Sequence, residues 1–313
     1  MQQDSSWQAL SKPGETTEYF NLQKAAPLQT GSADFNITNA WWLAEISRLI
    51  YQPDFHLNQN NKLGRFEYKF IGNINNEETS THISLLNVKG INSDGFPQPC
   101  LVVAFRGSDD IIDWNNNIKS MQTSFDVAGK PMGKVHAGFN ISYESIKEEL
   151  FFYLDDLSLP IFVTGHSLGA ALATLLTAEI MHRPRFDSCY AFGSPRVGDE
   201  DFVAALNNKP IYRVINNCDV ITTIPISIPN INYKHCASSQ LLSNAGILIE
   251  GLCEKDILSY QTKQMLSMPD TPIQELFSKH VMNLSENLPP VLADHAPINY
   301  VLALERLIEI GPA

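Results

Sequence analysis

Gly165-His166-Ser167-Leu168-Gly169 sets a serine between two glycines. It follows the apolar run Ile161-Phe162-Val163-Thr164 and precedes the helix-like Ala170-Ala171-Leu172-Ala173-Thr174-Leu175-Leu176. The order is strand, tight turn, helix, with the serine at the apex. A serine held on such a strained turn can serve as a nucleophile. The glycines let strand and helix approach without a Cβ clash. The helix start aims its free N–H groups and partial positive charge at the place where an oxyanion would form. The chemistry this supports is acyl transfer through a covalent intermediate. An ordinary strand-to-helix turn with an idle serine is the plain alternative.

A serine hydroxyl needs a histidine to take its proton and an acid to orient that histidine. G-x-S-x-G in this setting resembles the nucleophile elbow of α/β-hydrolases, where the acid and then the histidine follow the serine along the chain. The strand-like Ile211 to Ile215 runs into Asn216-Asn217-Cys218-Asp219-Val220, so Asp219 stands where the acid belongs, beyond the carboxyl end of a later strand. A simple turn aspartate is the competing reading.

Four histidines follow Ser167. His182 ends the helix that leaves the elbow, on the wrong side of the sheet. His280 lies on an amphipathic stretch and reads as surface. His295 opens the last helix, in Asp294-His295-Ala296-Pro297-Ile298-Asn299-Tyr300, and is the preferred base; His235, in Tyr233-Lys234-His235, is the fallback. His166 is adjacent to Ser167 and reads as a packed neighbour. For the oxyanion, one donor is the N–H of Leu168. The other is assigned to Ser108, in the loop Arg106-Gly107-Ser108-Asp109-Asp110 after the strand-like Leu101 to Phe105.

These residues need elements to hold them. Thr38 to Tyr51 reads as a helix, with Trp41, Trp42, Ile46, Leu49 and Ile50 near a 3.6 period and Pro53 beyond its end. Arg65 to Ile71, His82 to Val88 and Leu101 to Phe105 read as strands, with Asn75-Asn76 as a hairpin turn between the first two. Asn140 to Leu154 reads as a helix, Ser188 to Phe192 and Ile211 to Ile215 as strands, with a helix from Asp199 to Leu206 between them. Pro297 to Ile310 is a final amphipathic helix. From Cys100 on, strand and helix alternate, which predicts an α/β fold with a mostly parallel central sheet covered by helices on both faces.

The expected organisation is a single domain over 1–313, with 1–35 as an irregular N-terminal arm. The stretch 237–290 is longer than a simple connection needs. It contains the capping-box pattern Thr271-Pro272-Ile273-Gln274 and the stripe Ile273, Leu276, Phe277, Val281 and Leu284. Helices packed beside the core are favoured there over a cap above the site.

The chain has 313 residues, 44% hydrophobic and 18% charged, an ordinary globular balance. A net charge of −12 argues against a nucleic-acid partner and against electrostatic docking on anionic membranes. Five irregularly spaced cysteines make no zinc pattern and fit a reducing compartment, without excluding one disulfide. The apolar window Ile161 to Met181 contains the elbow and reads as buried strand plus helix, so no transmembrane segment is expected. Residues 1–30 lack the apolar core of a signal peptide. The expected location is therefore cytoplasmic by default, or secreted if a signal has been removed.

With these pieces placed, the chain resembles the fungal-type (class 3) lipase family of the α/β-hydrolase fold. The resemblance rests on Ala104-Phe105-Arg106-Gly107-Ser108 with Asp113-Trp114, on Val135-His136-Ala137-Gly138-Phe139 and on Gly165 to Gly169. It continues through Phe192-Gly193-Ser194-Pro195-Arg196-Val197-Gly198, Arg213-Val214-Ile215-Asn216 through Asp219 with Ile224-Pro225, and Asp294-His295 with Tyr300. It covers roughly Trp41 to Tyr300. It implies Ser167, Asp219 and His295 as catalytic triad, Ser108 and Leu168 as oxyanion hole, and no metal or organic cofactor. It makes His136 and His235 structural. It also implies a lid, for which Ile111, Trp114 and Ile118, with Met121, share one helical face that could open on a lipid–water interface. The substrate class implied is a lipid ester of the acylglycerol type. Phospholipase and short-chain or feruloyl esterase are the nearest alternatives, and an inactive binding scaffold is the alternative of another class. Two departures stand out: the disulfides and signal of secreted members are not evident, and Ala237 to Pro290 does not follow the family's short pattern.

Overall fold

A computed structural model describes residues 3–15, 18–32, 34–52, 55, 62–63, 66–108, 121–236, 238–266 and 289–311. In chain order its elements are α1 (Trp7–Ser11), β1 (Leu28–Gln29), α2 (Ile37–Leu49), β2 (Lys62–Leu63), β3 (Phe66–Asn76), β4 (Thr81–Val88), β5 (Gly90–Ile91), β6 (Cys100–Phe105), β7 (Gln122–Val127) and β8 (Lys130–His136). There follow α3 (Ala137–Asp156), β9 (Ile161–His166), α4 (Leu168–Ile180), β10 (Phe186–Phe192), α5 (Glu200–Ala205), β11 (Ile211–Asn216), β12 (Ser238–Leu242), β13 (Leu248–Glu250), α6 (Glu254–Leu266), α7 (Pro290–Ala293) and α8 (Pro297–Ile310).

Among the described residues, nine strands form the main sheet in the order β13-β12-β11-β10-β9-β6-β4-β3-β2. From β6 to β12 the pairing is parallel, and β4, β3, β2 and β13 add antiparallel flanks. Every residue of β6, β9 and β11 is buried, as strands covered on both faces must be. The period of two sorts their side chains. Val102 and Ala104 join a cluster with Trp41, Leu43, Tyr300 and Leu304 from α2 and α8. Leu101, Val103 and Phe105 join another with Tyr143, Leu172 and Leu176 from α3 and α4.

One expectation shifts. Asn75 and Asn76 are not the hairpin turn but the last paired residues of β3, opposite His82 and Thr81. The turn lies one step on, where Thr79 N donates to Asn76 Oδ1 at 3.1 Å and Ser80 takes a φ of 51°. The β7–β8 hairpin had no expectation, because only Phe125 of β7 is buried and the strand carries no clear alternation.

In the stretch 237–290, β12 and β13 extend the sheet edge, and Ile257 of α6 packs on Ile215 and Leu241. The pattern at 271–284 lies outside the described residues. Within 1–35, α1 sets Ala9 and Leu10 against Val220, Ile221 and Leu292. All five cysteines are free thiols, four of them buried.

Candidate active site

Ser167 follows β9 and caps α4 with φ 58° and ψ −126°, a left-handed conformation that a serine adopts only under constraint. The constraint is the close approach of the flanking backbone. A Cβ on Gly165 would sit 2.4 Å from the Gly169 carbonyl, and one on Gly169 would sit 2.1 Å from Phe105 O. Ser167 N donates to Phe192 O at 2.9 Å, which ties the elbow to β10.

Asp219 follows β11 and caps the short 3-10 helix Val220–Thr223, its Oδ1 accepting from Ile221 N at 2.9 Å. Its Oδ2 accepts from His295 at 2.7 Å and from the Tyr300 hydroxyl at 2.5 Å. These three donors satisfy the oxygens of a carboxylate with 0% exposure. Burial first, then the Asp219 charge, push the Tyr300 hydroxyl well above its usual range, so it remains the donor.

His295 lies between α7 and α8. Its Nδ1 faces Asp219 Oδ2, and its Nε2 lies 2.9 Å from Ser167 Oγ. Because the carboxylate only accepts, Nδ1 carries the proton, and Nε2 presents its lone pair to the Ser167 hydroxyl. Ser167, His295 and Asp219 thus form one hydrogen-bonded line, with Ser167 2% exposed and His295 0%. Asp294, beside His295, accepts from Gln3 Nε2 at 2.8 Å and from Asn217 Nδ2 and Cys218 N at 3.0 Å each. The turn that carries the acid is thereby stitched to the loop that carries the histidine. Burial pushes the Asp294 carboxyl up to about 7.

The other histidines sit elsewhere. His235, the fallback, is spoken for by the Thr222 carbonyl at 2.6 Å, and burial, Arg213 and Arg196 hold its pKa well below the usual. His136 caps α3 by accepting from Gly138 N and Phe139 N, and burial lowers its pKa to about 4. His182 is exposed beyond the far end of α4, and His280 lies outside the described residues.

Leu168 is the first residue of α4, where helical N–H groups lack intrahelical partners. Ser108 is half-buried in the loop that leaves β6, and Phe105 of that strand pairs with Gly165 of the elbow. Ile111, Trp114 and Ile118 lie outside the described residues; Met121 is described and exposed. Among the described residues no group of three or more His, Cys, Asp or Glu could hold a metal ion, and no helix is long and apolar enough to cross a membrane.

Two contacts had no role assigned from sequence: the Tyr300 hydroxyl on Asp219, and a 2.7 Å bond between His166 Nε2 and the His295 carbonyl. Tyr300 could be singled out only as a motif residue. His166 bonds to main chain, which no side-chain pattern reveals.

A family model described as lipase (class 3) matches residues 102–228. The chain is 32% identical over 149 residues to a chloroplastic phospholipase A(1) from Arabidopsis thaliana, a match covering 40% of this chain and 33% of that protein. It is 32% identical over 144 residues to a lipase from Rhizomucor miehei, covering 42% and 39%. It is 32% identical over 143 residues to a secreted mono- and diacylglycerol lipase from Fusarium solani, covering 43% and 41%. The chain thus spans less than half the length of these relatives.

Among solved structures, the Rhizomucor miehei lipase propeptide complex aligns with a TM-score of 0.57 at 19% identity, over 81% of this chain and 85% of that one. A lipase from Rhizopus microsporus var. chinensis aligns with a TM-score of 0.53 at 22% identity, over 79% and 92%. This likeness is one of fold, the α/β-hydrolase fold with its mostly parallel sheet between helices.

Proposed function

We propose, for a chain whose residues 102–228 match the class 3 lipase family, a serine carboxylic-ester hydrolase that cleaves lipid esters through an acyl-enzyme. The observation that carries this reading is the line Ser167 Oγ, His295 Nε2 at 2.9 Å, and His295 Nδ1 to Asp219 Oδ2 at 2.7 Å. Ser167 Oγ attacks the ester carbonyl carbon while His295 Nε2 takes its proton. The N–H groups of Leu168 and Ser108 receive the oxyanion. The bond to the leaving alcohol then breaks, and His295 returns the proton to that oxygen. A water, deprotonated by the same nitrogen, attacks the acyl-enzyme and releases the carboxylic acid. Asp219 orients His295 and stabilises its cation.

The substrate reading is an acylglycerol or, as the alternative, a phospholipid. Relatives named as lipase, mono- and diacylglycerol lipase and phospholipase A(1) support both. The near-complete burial of Ser167 supports an access step before an ester of that size can react. Ile111, Trp114 and Ile118 remain the lid candidates. If they form one, Trp114→Ser changes turnover of emulsified esters relative to soluble ones; equal effects on both dismiss it.

The working unit is read as one domain over 1–313, with 1–35 bracing it and 237–290 packed beside the core. The cytoplasmic default draws no support from the relatives, one named secreted and one chloroplastic, and export is the reading retained. Fractionation of the native source checks it.

Hydrolysis of p-nitrophenyl esters from acetate to palmitate, with Ser167→Ala alongside, tests the activity. Turnover that rises with chain length and vanishes in the variant supports a lipase. A preference for acetate or butyrate indicates an esterase. Release of fatty acid from phosphatidylcholine but not from triacylglycerol selects the phospholipase. No turnover on any ester or phospholipid leaves the inactive scaffold.

A further inference from the structure

Tyr51 stands just past the end of α2, 3% exposed, and its hydroxyl lies 3.0 Å from His166 Nδ1. On the far side of that imidazole, Nε2 lies 2.7 Å from the carbonyl of His295, and the rings of His166 and His295 lie 4.5 Å apart between centroids, tilted by 37°. The direction of each bond follows from the carbonyl. A carbonyl only accepts, so His166 Nε2 carries the proton. Burial first, and then the neighbouring His295, hold the His166 pKa well below the usual, so the ring is neutral. Nδ1 is therefore a lone pair, and the Tyr51 hydroxyl donates to it. The hydroxyl thus selects the tautomer that grips the backbone of the proposed base.

The same hydroxyl borders the oxyanion loop. A Cβ on Gly107 would lie 2.0 Å from Tyr51 Oη and 2.6 Å from the His166 carbonyl oxygen. The Arg106 guanidinium sits 5.8 Å from the centre of the Tyr51 ring. Gly107, between Arg106 and Ser108, therefore lies flush on Tyr51 and on the main chain of His166. One phenol abuts the loop of the second oxyanion donor and, through one imidazole, holds the base.

We infer that Tyr51, acting through His166, is a positioning residue for the acyl-transfer chemistry: it fixes the backbone of His295 and the floor of the oxyanion loop together. Without the hydroxyl, His166 has a buried lone pair lacking a donor. The other tautomer satisfies nothing, because it turns the Nε2 lone pair against the His295 carbonyl. Either way the grip on His295 loosens, and the bond from Nε2 to Ser167 lengthens. A loss of this kind falls on the chemical step rather than on substrate binding. The inference rests on the proposed hydrolase reading, but it fails separately from it.

The test compares wild type, Tyr51→Phe and Ser167→Ala on a soluble ester, with the low-field proton resonance of the His295–Asp219 hydrogen bond as a second readout. Tyr51→Phe is expected to keep its fold, to lower kcat about tenfold with KM within about twofold, and to shift or broaden that resonance. Should Tyr51→Phe lose stability, a pair of His166 variants carries the same question. His166→Gln, whose amide N–H still reaches the His295 carbonyl, should retain more kcat than His166→Leu. A Tyr51→Phe enzyme with wild-type kcat and an unmoved resonance, or equal kcat in the two His166 variants, overturns the inference while the hydrolase reading stands. Turnover that survives in Ser167→Ala overturns both.

Discussion

Asp219 is fully buried, and the Ile221 amide, the His295 ring and the Tyr300 hydroxyl all donate to its carboxylate. Each bond also fixes where the carboxylate points. Asp219→Asn turns an amide N–H toward Nδ1 and forces His295 into the tautomer that cannot accept from Ser167. A fall in kcat of about four orders of magnitude is expected, with native circular dichroism. Tyr300→Phe removes one donor and leaves the line intact, so kcat should fall only about three- to tenfold. If Asp219→Asn costs no more than Tyr300→Phe in the same assay, Asp219 does not orient the base. Ser167, Asp219 and His295 were legible in the sequence because chain order and strand ends constrain them tightly. Tyr51 and His166 were not, because their effect passes through a main-chain carbonyl and a packing contact between segments far apart in the chain.

At the scale of elements, α2 shows the limit of pattern reading. Its apolar spacing predicts one buried face, yet every residue from Asn39 to Leu49 is buried. The sheet covers one side, α8 another, and the arm around Phe20 a third. Burial this complete requires its charges to be matched. Arg48 pairs with Glu45 at 2.7 Å, with both side chains at most 3% exposed. Glu45 Oε1 also accepts from Phe20 N at 2.8 Å, and Arg48 lies over the Tyr19 ring at 4.0 Å. The pair therefore pins the arm to the helix that leads into Tyr51. Glu45→Gln removes the carboxylate charge that faces the buried Arg48 and should destabilise the fold by about 3–5 kcal/mol in denaturant titration. A loss below about 1 kcal/mol would mean that the arm is held by its apolar contacts alone. The parallel strands were legible from their unbroken apolar runs. Among them β12, between β11 and β13, was the exception, since Ser239 and Gln240 are buried there against the expectation for polar residues.

Over the whole molecule, three segments meet at Asp294: the N-terminal segment through Gln3, the acid turn through Asn217 and Cys218, and the histidine loop itself. Its carboxyl titrates at about 7 in the fold against 3.8 as a free side chain, burial being the main cause. Between those values the native state binds a proton that the unfolded chain releases. The contribution to stability therefore falls as pH rises from about 4 to about 7 and is flat above. The difference in Tm between wild type and Asp294→Asn should accordingly favour wild type more at about pH 5 than at about pH 8. Parallel pH profiles for the two proteins would remove Asp294 from the balance.

The central claim is that Ser167 is the nucleophile of an acyl transfer. Its most direct measurement is the mass of the intact protein, followed by peptide mapping, after exposure to an alkyl fluorophosphonate. The account predicts one adduct per chain, located on Ser167, with hydrolysis lost in step with labelling and no adduct in Ser167→Ala or His295→Ala. An ester-hydrolysing preparation that stays unlabelled, or one labelled at another residue, contradicts it.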